Sequence, residues 1–319
     1  FAFNKVEVSK FNDFFEKNFN KLYFILQKIC FEIQSHVNLK RIDSLKINNW
    51  NKEQGLISEK TNMGYIILLG GSALNLLSKK FSKYSNKELE LFSQNAPRTS
   101  DFDISICLND YNKSSIDSVK DLILLFLESN AEIKEILVEL EQFDISLDNK
   151  NKNEEILNYI LGNKIQITTI NLPTNYNIRV NILINSKRNH LFEFILRKTD
   201  EFSCNFKNVI TFDNIIGIPN IYQKTINYAR IIFIRSRKKI SKCRQDYARF
   251  EWLIKFSKWL LQSRKPQDII KLEQFFEIKK IYKILKNELK FCINDGKKSD
   301  LEKERDEYFK EEKLETNYY

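Results

Sequence analysis

Two aspartates one residue apart, Asp101 and Asp103 in Ser100-Asp101-Phe102-Asp103-Ile104-Ser105-Ile106, stand at the head of an apolar run. On a strand, residues i and i+2 share a face, so both carboxylates are expected to project together, close enough to hold a divalent cation. Upstream, Tyr65-Ile66-Ile67-Leu68-Leu69 leads into Gly70-Gly71-Ser72 and then Ala73-Leu74-Asn75-Leu76-Leu77. That is an apolar strand feeding a turn that opens a helix. The first amides of a helix have no intrahelical partner and bind anions, and glycine leaves room for a phosphate that a Cβ would obstruct. A phosphate-binding turn beside metal-binding carboxylates points to chemistry on a nucleoside triphosphate. Alone, Gly-Gly-Ser marks many tight connections, and Asp-x-Asp marks many solvated loops. Their order, each following or heading an apolar run, carries the functional reading.

A third carboxylate stands out in His190-Leu191-Phe192-Glu193-Phe194-Ile195-Leu196-Arg197-Lys198. Glu193 is the only acid within that strand-like run, and a carboxylate among Leu, Phe and Ile is costly to bury unless paired or metal-bound. The competing reading is an outward-facing Glu on an edge strand. Asp144, in Phe143-Asp144-Ile145, is the next candidate for the same role.

Around these residues the chain divides by pattern. Phe11, Phe14, Phe15, Phe19, Leu22, Tyr23, Ile25, Leu26 and Ile29 recur at helical spacing, which predicts a packing helix within residues 1–60. The polar stretch 38–62, with Trp50, marks a weak boundary. Residues 115–142 read as one long amphipathic helix capped by Ser114 or Ser115, with Leu122, Leu125, Phe126, Ile133, Ile136, Leu137 and Leu140 on its apolar side. Asp148–Glu155 reads as a charged loop. Lys164–Leu172, Asn177–Asn185 and Leu191–Arg197 read as three strands of a meander turning at Pro173-Thr174-Asn175 and Ser186-Lys187-Arg188-Asn189. From Gly217-Ile218-Pro219-Asn220 onward the pattern is helical, with Asn220 the candidate N-cap. The predicted fold class is α/β (α+β): a mixed sheet with helices in residues 61–216, an N-terminal helical segment 1–60, and a helical C-terminal domain 217–319.

The last domain carries a cluster of charge. Arg230, Arg235, Arg237, Lys238, Lys239, Lys242, Arg244 and Arg249 stand against a single acid, Asp246. Arg235, Lys238, Lys239 and Lys242 follow the i, i+3, i+4, i+7 spacing of one helix face, and Arg237 lies off it. A polyanion-facing surface is the favoured reading over a solvated face. Trp252, Phe256 and Trp259 lie at helical spacing and read as core.

Composition bounds the rest. The 319 residues are 42% hydrophobic and 29% charged, enough for real cores in a soluble protein. No apolar run approaches the roughly 20 residues that cross a bilayer, so no membrane partner is expected. The formal net charge of +10 is compatible with nucleic acid. Lys, Asn and Ile are abundant and Gly and Pro scarce, as an AT-rich genome produces, so the total charge says less than its clustering. Five scattered cysteines, Cys30, Cys107, Cys204, Cys243 and Cys292, argue against a disulfide framework or zinc site and for a reducing compartment, most simply cytosol. The start at Phe1 lacks a signal pattern, and without Met it leads us to expect a missing or processed N-terminal piece.

The turn and the acids together resemble the nucleotidyltransferase superfamily: apolar strand, Gly-Gly or Gly-Ser, helix, Asp-apolar-Asp, then a third acid on a later strand. The closer likeness is to the catalytic subunits of poxvirus-type poly(A) polymerases, including relatives in other large DNA viruses. Gly70-Gly71-Ser72-Ala73-Leu74-Asn75-Leu76-Leu77 looks like that family's Gly-Gly-Thr/Ser-Ala-x-Asn-Leu-Leu. Arg98-Thr99-Ser100-Asp101-Phe102-Asp103 looks like its Arg-Thr-x-Asp-apolar-Asp. Glu193 stands where the family usually has Asp. Asp213-Asn214-Ile215 and a helix from Tyr222 to Arg230 fit the family's passage after that strand, and the polar stretch Lys79–Ala96 reads as an insertion.

The likeness covers about residues 60–250. It implies template-independent transfer of AMP from ATP to an RNA 3′ end, with Mg²⁺ or Mn²⁺ held by Asp101, Asp103 and Glu193 as the catalytic acids. The outer phosphates are expected on the amides of Gly70, Gly71 and Ser72, with Lys224, early in the helix after the sheet, as candidate counter-charge, and the basic cluster is expected to hold RNA on Arg235, Arg237, Lys238, Lys239 and Lys242. A processivity subunit or a homodimer, and a place in the cytoplasm or a virion, belong to the same expectation. The alternatives are a nucleotidyltransferase with a tRNA, protein or small-molecule acceptor, or a non-catalytic RNA-binding subunit on the same fold.

Overall fold

The computed structural model describes residues 5–42, 63–81, 101–138, 154–160, 164–184, 187–198, 209–211, 213, 215–219, 221–235, 246, 249–250, 252–257 and 279–281. The chain divides into two compact units, Phe1–Asn220 and Ile221–Tyr319. The first holds a mixed α/β architecture.

Helix α1 (Lys5–His36) spans 32 residues. Its residues Phe15, Phe19, Leu22, Leu26, Ile29 and Ile33 repeat at alternating spacings of four and three, and all are buried. Short strands β1 (Arg41–Ile42) and β2 (Met63–Gly64) then pair antiparallel. The larger sheet contains β3 (Ile66–Leu68), β4 (Phe102–Cys107), β5 (Glu154–Ile160), β6 (Ile165–Asn171), β7 (Asn175–Ile184), β8 (Lys187–Arg197), β9 (Val209–Thr211) and β10 (Gly217–Pro219). Their order is β5-β6-β7-β8-β4-β3-β10-β9. Strands β5 to β8 form an antiparallel meander. Strand β8 runs parallel to β4, β4 antiparallel to β3, and β3 parallel to β10.

Register assigns the two faces of this sheet. Phe102, Ile104 and Ile106 of β4 lie opposite Phe192, Phe194 and Leu196 of β8, and all six are fully buried. Helix α1 covers this face: the Phe102 ring lies 5.0 Å from Phe15, 5.1 Å from Phe19, 6.2 Å from Tyr23 and 5.8 Å from Phe192. Asp213 fastens α1 further. Its Oδ2 accepts from Tyr23 Oη (3.0 Å) and Gln27 Nε2 (2.5 Å). Its Oδ1 accepts the backbone amides of Ile215 (2.9 Å) and Ile216 (2.8 Å) just before β10. Burial, with the Asp213 charge, pushes the Tyr23 hydroxyl and the Cys30 thiol above their ordinary ranges. The opposite face is apolar at one end, where Ile42, Met63, Tyr65, Ile67 and Cys107 cluster.

Several sequence expectations need correction. The helix read over 115–142 is two helices, α3 (Lys113–Ser129) and α4 (Ala131–Val138), with α2 (Gly70–Phe81) before them. Asn130 leaves helical geometry (φ −87°, ψ 115°), and its Oδ1 caps α4 by accepting from Glu132 N (2.9 Å) and Ile133 N (3.3 Å). The break resets the helical phase. Val119, Ile123 and Leu127 are therefore the buried side of α3, and Leu125 is 64% exposed. The N-cap of α3 is Asn112, which accepts from Ser115 N (2.9 Å), not Ser114 or Ser115.

Glu154 and Glu155, read as loop, belong to β5. The Gly217-Ile218-Pro219 boundary is itself strand β10, and the helix begins at Ile221 as α5 (Ile221–Arg235). Pro219 ends its strand, where a missing N–H costs the ladder least. The three meander strands are present, but Lys187, Arg188 and Asn189, read as turn, are the start of β8 and pair with Ile184, Leu183 and Ile182, and Asn175, also read as turn, opens β7. Asp144, Asn220, Trp259 and residues 82–100 lie outside the described residues. Among the described residues no helix is long and apolar enough to cross a membrane.

Phe102 joins helix and sheet, so Phe102→Ala is expected to destabilise the first unit by about 3–5 kcal/mol. Phe102→Leu is expected to cost clearly less. Urea unfolding of both variants reads this, and an Ala variant within experimental error of wild type would refute the assigned packing.

Candidate active site

The face opposite α1 becomes polar where β4 begins. Asp103 lies directly opposite Glu193 on β8, and Glu193 directly opposite Arg179 on β7. Side chains at paired positions share a face, so three charged residues on three adjacent strands form a row. The alternation that buries Phe102 and Phe192 under α1 sends Asp103 and Glu193 the other way. Strand β8 lies inside the sheet, which removes the edge-strand reading of Glu193.

The glycine turn meets this row from the neighbouring strand. Leu69 N donates to Asp103 O at 2.7 Å, carrying the end of β3 alongside Asp103. Gly70 then adopts φ 65°, a left-handed conformation that favours glycine. A Cβ on Gly70 would stand 2.7 Å from Asp103 Oδ2, so the carboxylate occupies the space that glycine leaves. Helix α2 starts at this point with no acid in its first turn. The first turn of this helix, which carries the amides of Gly71 and Ser72, is the positive end of the helix dipole and favours an anion. Ser72 is fully buried, and its hydroxyl donates to the backbone carbonyl of Asp101. The side chain braces the turn against the strand rather than standing open to a phosphate.

Glu193 has its own retinue. Its Oε1 accepts from Arg179 Nε and from Asn177 Nδ2, both at 2.8 Å. Further along, buried Asn181 donates to Thr168 Oγ1 at 3.0 Å, and its Oδ1 lies 2.6 Å from His190 Nδ1. Sequence reasoning missed Arg179 and Asn177. The available signal was the alternation Asn177-Ile178-Arg179-Val180, with a lone Arg on the polar side of the hairpin arm that pairs with Glu193.

Asp101 and Asp103 supply the hard oxygen ligands that Mg²⁺ or Mn²⁺ prefers. Mg²⁺ is commonly held by one or two carboxylates together with substrate phosphates, a donor chemistry that Asp101 and Asp103 could supply. Among the described residues, no three His, Cys, Asp or Glu side chains gather into an ion site. Lys224 lies in the second unit, 2% exposed, with its Nζ 5.3 Å from the Tyr228 ring centroid. Arg235 ends α5, whereas Arg237, Lys238, Lys239 and Lys242 lie outside the described residues. In the second unit, Trp252 and Phe256 are buried and stacked 5.0 Å apart, as core residues should be.

Comparison with protein-family models, curated proteins and solved structures returns no match.

Gly70→Ala meets two penalties, the left-handed backbone and the Asp103 carboxylate. The variant is expected to lose about 1–3 kcal/mol of stability. Asp103→Ala in the same chain should recover the part due to contact and leave the backbone part. A double-mutant cycle by urea unfolding measures this, and strictly additive effects would exclude the Gly70–Asp103 contact.

Proposed function

We propose that the chain is a nucleotidyltransferase that adds AMP from ATP to the 3′-hydroxyl of an RNA without a template. One observation supports this reading above the others: the Asp103 carboxylate fills the space over Gly70, and the Ser72 hydroxyl donates to the Asp101 carbonyl, so the glycine turn lies against the Asp101–Asp103 segment. The amides of Gly71 and Ser72 would bind outer oxygens of the triphosphate. Asp101 and Asp103 would hold the divalent cation that accompanies it. A bound Mg²⁺ supplies charge neutralisation on the phosphates and a more acidic acceptor hydroxyl. The acceptor oxygen bonds to the α-phosphorus while the bond to the bridging oxygen breaks. Pyrophosphate leaves with that electron pair, and the hydroxyl proton passes to water.

The choice of RNA as acceptor rests on the clustered charge between Arg230 and Arg249. Such a surface binds phosphate backbones with little sequence preference. The choice of ATP rests on the resemblance of the turn and the acid pair to the poly(A) polymerases.

Purified protein with Mg²⁺ or Mn²⁺, an oligo(A) primer and each NTP separately is expected to extend the primer with ATP. Asp101→Ala or Asp103→Ala is expected to reduce extension by more than about 100-fold, beyond the range typical of outer-shell changes, with the fold intact by circular dichroism. Near-normal extension by either variant would end the catalytic assignment.

Neutralising Arg235, Lys238, Lys239 and Lys242 together should weaken primer binding and lower the salt slope by about one unit per contact removed. NTP binding should stay nearly unchanged. An unaltered RNA affinity and salt slope would instead mark this stripe as a solvated face.

A further inference from the structure

We propose that Arg179 is a built-in counter-cation that withholds Glu193 from the divalent ion, leaving that ion to Asp101 and Asp103. The inference rests on the reading of Asp101 and Asp103 as ion ligands and adds the role of a neighbouring strand.

Arg179 Nε and Asn177 Nδ2 both donate to Glu193 Oε1 at 2.8 Å. Two hydrogen bonds use both lone pairs of that oxygen, which leaves a cation only Oε2, on a carboxylate already paired with a guanidinium that repels it. The pair is not a loose surface contact, because the two side chains are only 22% and 15% exposed. Both donors stand on β7, whose register against β8 places Arg179 opposite Glu193, and β6 closes the other side of β7. The backbone thus fixes the clamp.

The row Asp103, Glu193, Arg179 also has an electrostatic logic. Two carboxylates at paired positions on neighbouring strands repel one another, and a guanidinium on the far side of Glu193 offsets that repulsion without a metal. The guanidinium therefore competes with any cation for Glu193. Glu193 was expected from sequence to complete the ion site, but its partners assign it to Arg179.

Mn²⁺ titration of the full chain, followed by the loss of the free-ion electron paramagnetic resonance signal, tests this without reference to activity. Arg179→Gln is expected to bind Mn²⁺ about tenfold more tightly, since it frees Glu193 and adds a negative charge to the site. Arg179→Lys keeps the counter-charge and should stay near wild type. Glu193→Gln should stay within about twofold of wild type, and in the Arg179→Gln background it should abolish the gain.

An unchanged or weaker affinity in a folded Arg179→Gln protein overturns the proposal. So does a loss of more than about tenfold in Glu193→Gln, which is the behaviour of a direct ion ligand. If Arg179→Gln does not fold, the Glu193→Gln and Arg179→Lys measurements still decide by the same criteria. Asp101→Asn and Asp103→Asn separate the two claims. If both leave Mn²⁺ binding intact, the ion-site reading fails; if they abolish it while Glu193→Gln is neutral and Arg179→Gln tightens it, both claims stand.

Discussion

The parallel pairing of β4 with β8 is the constraint on which the site depends. Phe102 and Phe192 stack in the core beneath α1, and strand alternation then leaves Asp103 and Glu193 only the other face. A slip of one residue would drive carboxylates under α1 and expose both rings, which is why such registers are strongly specified. The aromatic contacts from Phe15, Phe19 and Tyr23 onto Phe102 therefore do more than fill space. They fix which side of the sheet carries Asp103 and Glu193.

Around that constraint the remaining contacts act as braces. Asp213 ties α1 to the segment before β10 through four hydrogen bonds. On the opposite face, the Leu69 amide and the Ser72 hydroxyl each bond a backbone carbonyl at the start of β4. The turn and the acids are thus held by main-chain geometry, the most reproducible kind of positioning. Gly70 completes the arrangement because only a residue without Cβ allows the Asp103 carboxylate so near a left-handed backbone. The Arg179–Glu193 pair extends the polar row across the meander.

Much of this was legible in the sequence, and the failures have physical causes. The α1 stripe was readable because one face packs on the core along most of the helix. The glycine turn and the strand position of Asp103 were readable because each adjoins an apolar run, whereas Asp101, read as a strand residue, stands just before β4. The break at Asn130 was not readable, since apolar residues are dense on both sides of it and no Gly or Pro marks the point where one helix ends and Asn130 caps the next. β5 was masked by its acids, Glu154 and Glu155. β10 was masked by Gly217 and Pro219, residues that usually punctuate a chain. The partnership of Glu193 with Arg179 depends on hairpin register, which a bulge between Val180 and Asn181 shifts by a residue.

The central claim is that the Gly70–Ser72 turn and the Asp101/Asp103 pair form a single site for a triphosphate and its cation. A crystal structure with Mn²⁺ and a non-hydrolysable ATP analogue tests it most directly, because manganese identifies itself by anomalous scattering. The account predicts an anomalous peak within bonding distance of Asp101 and Asp103, with analogue phosphates on the amides of Gly71 and Ser72. Analogue bound elsewhere, or manganese away from that acid pair, would contradict it.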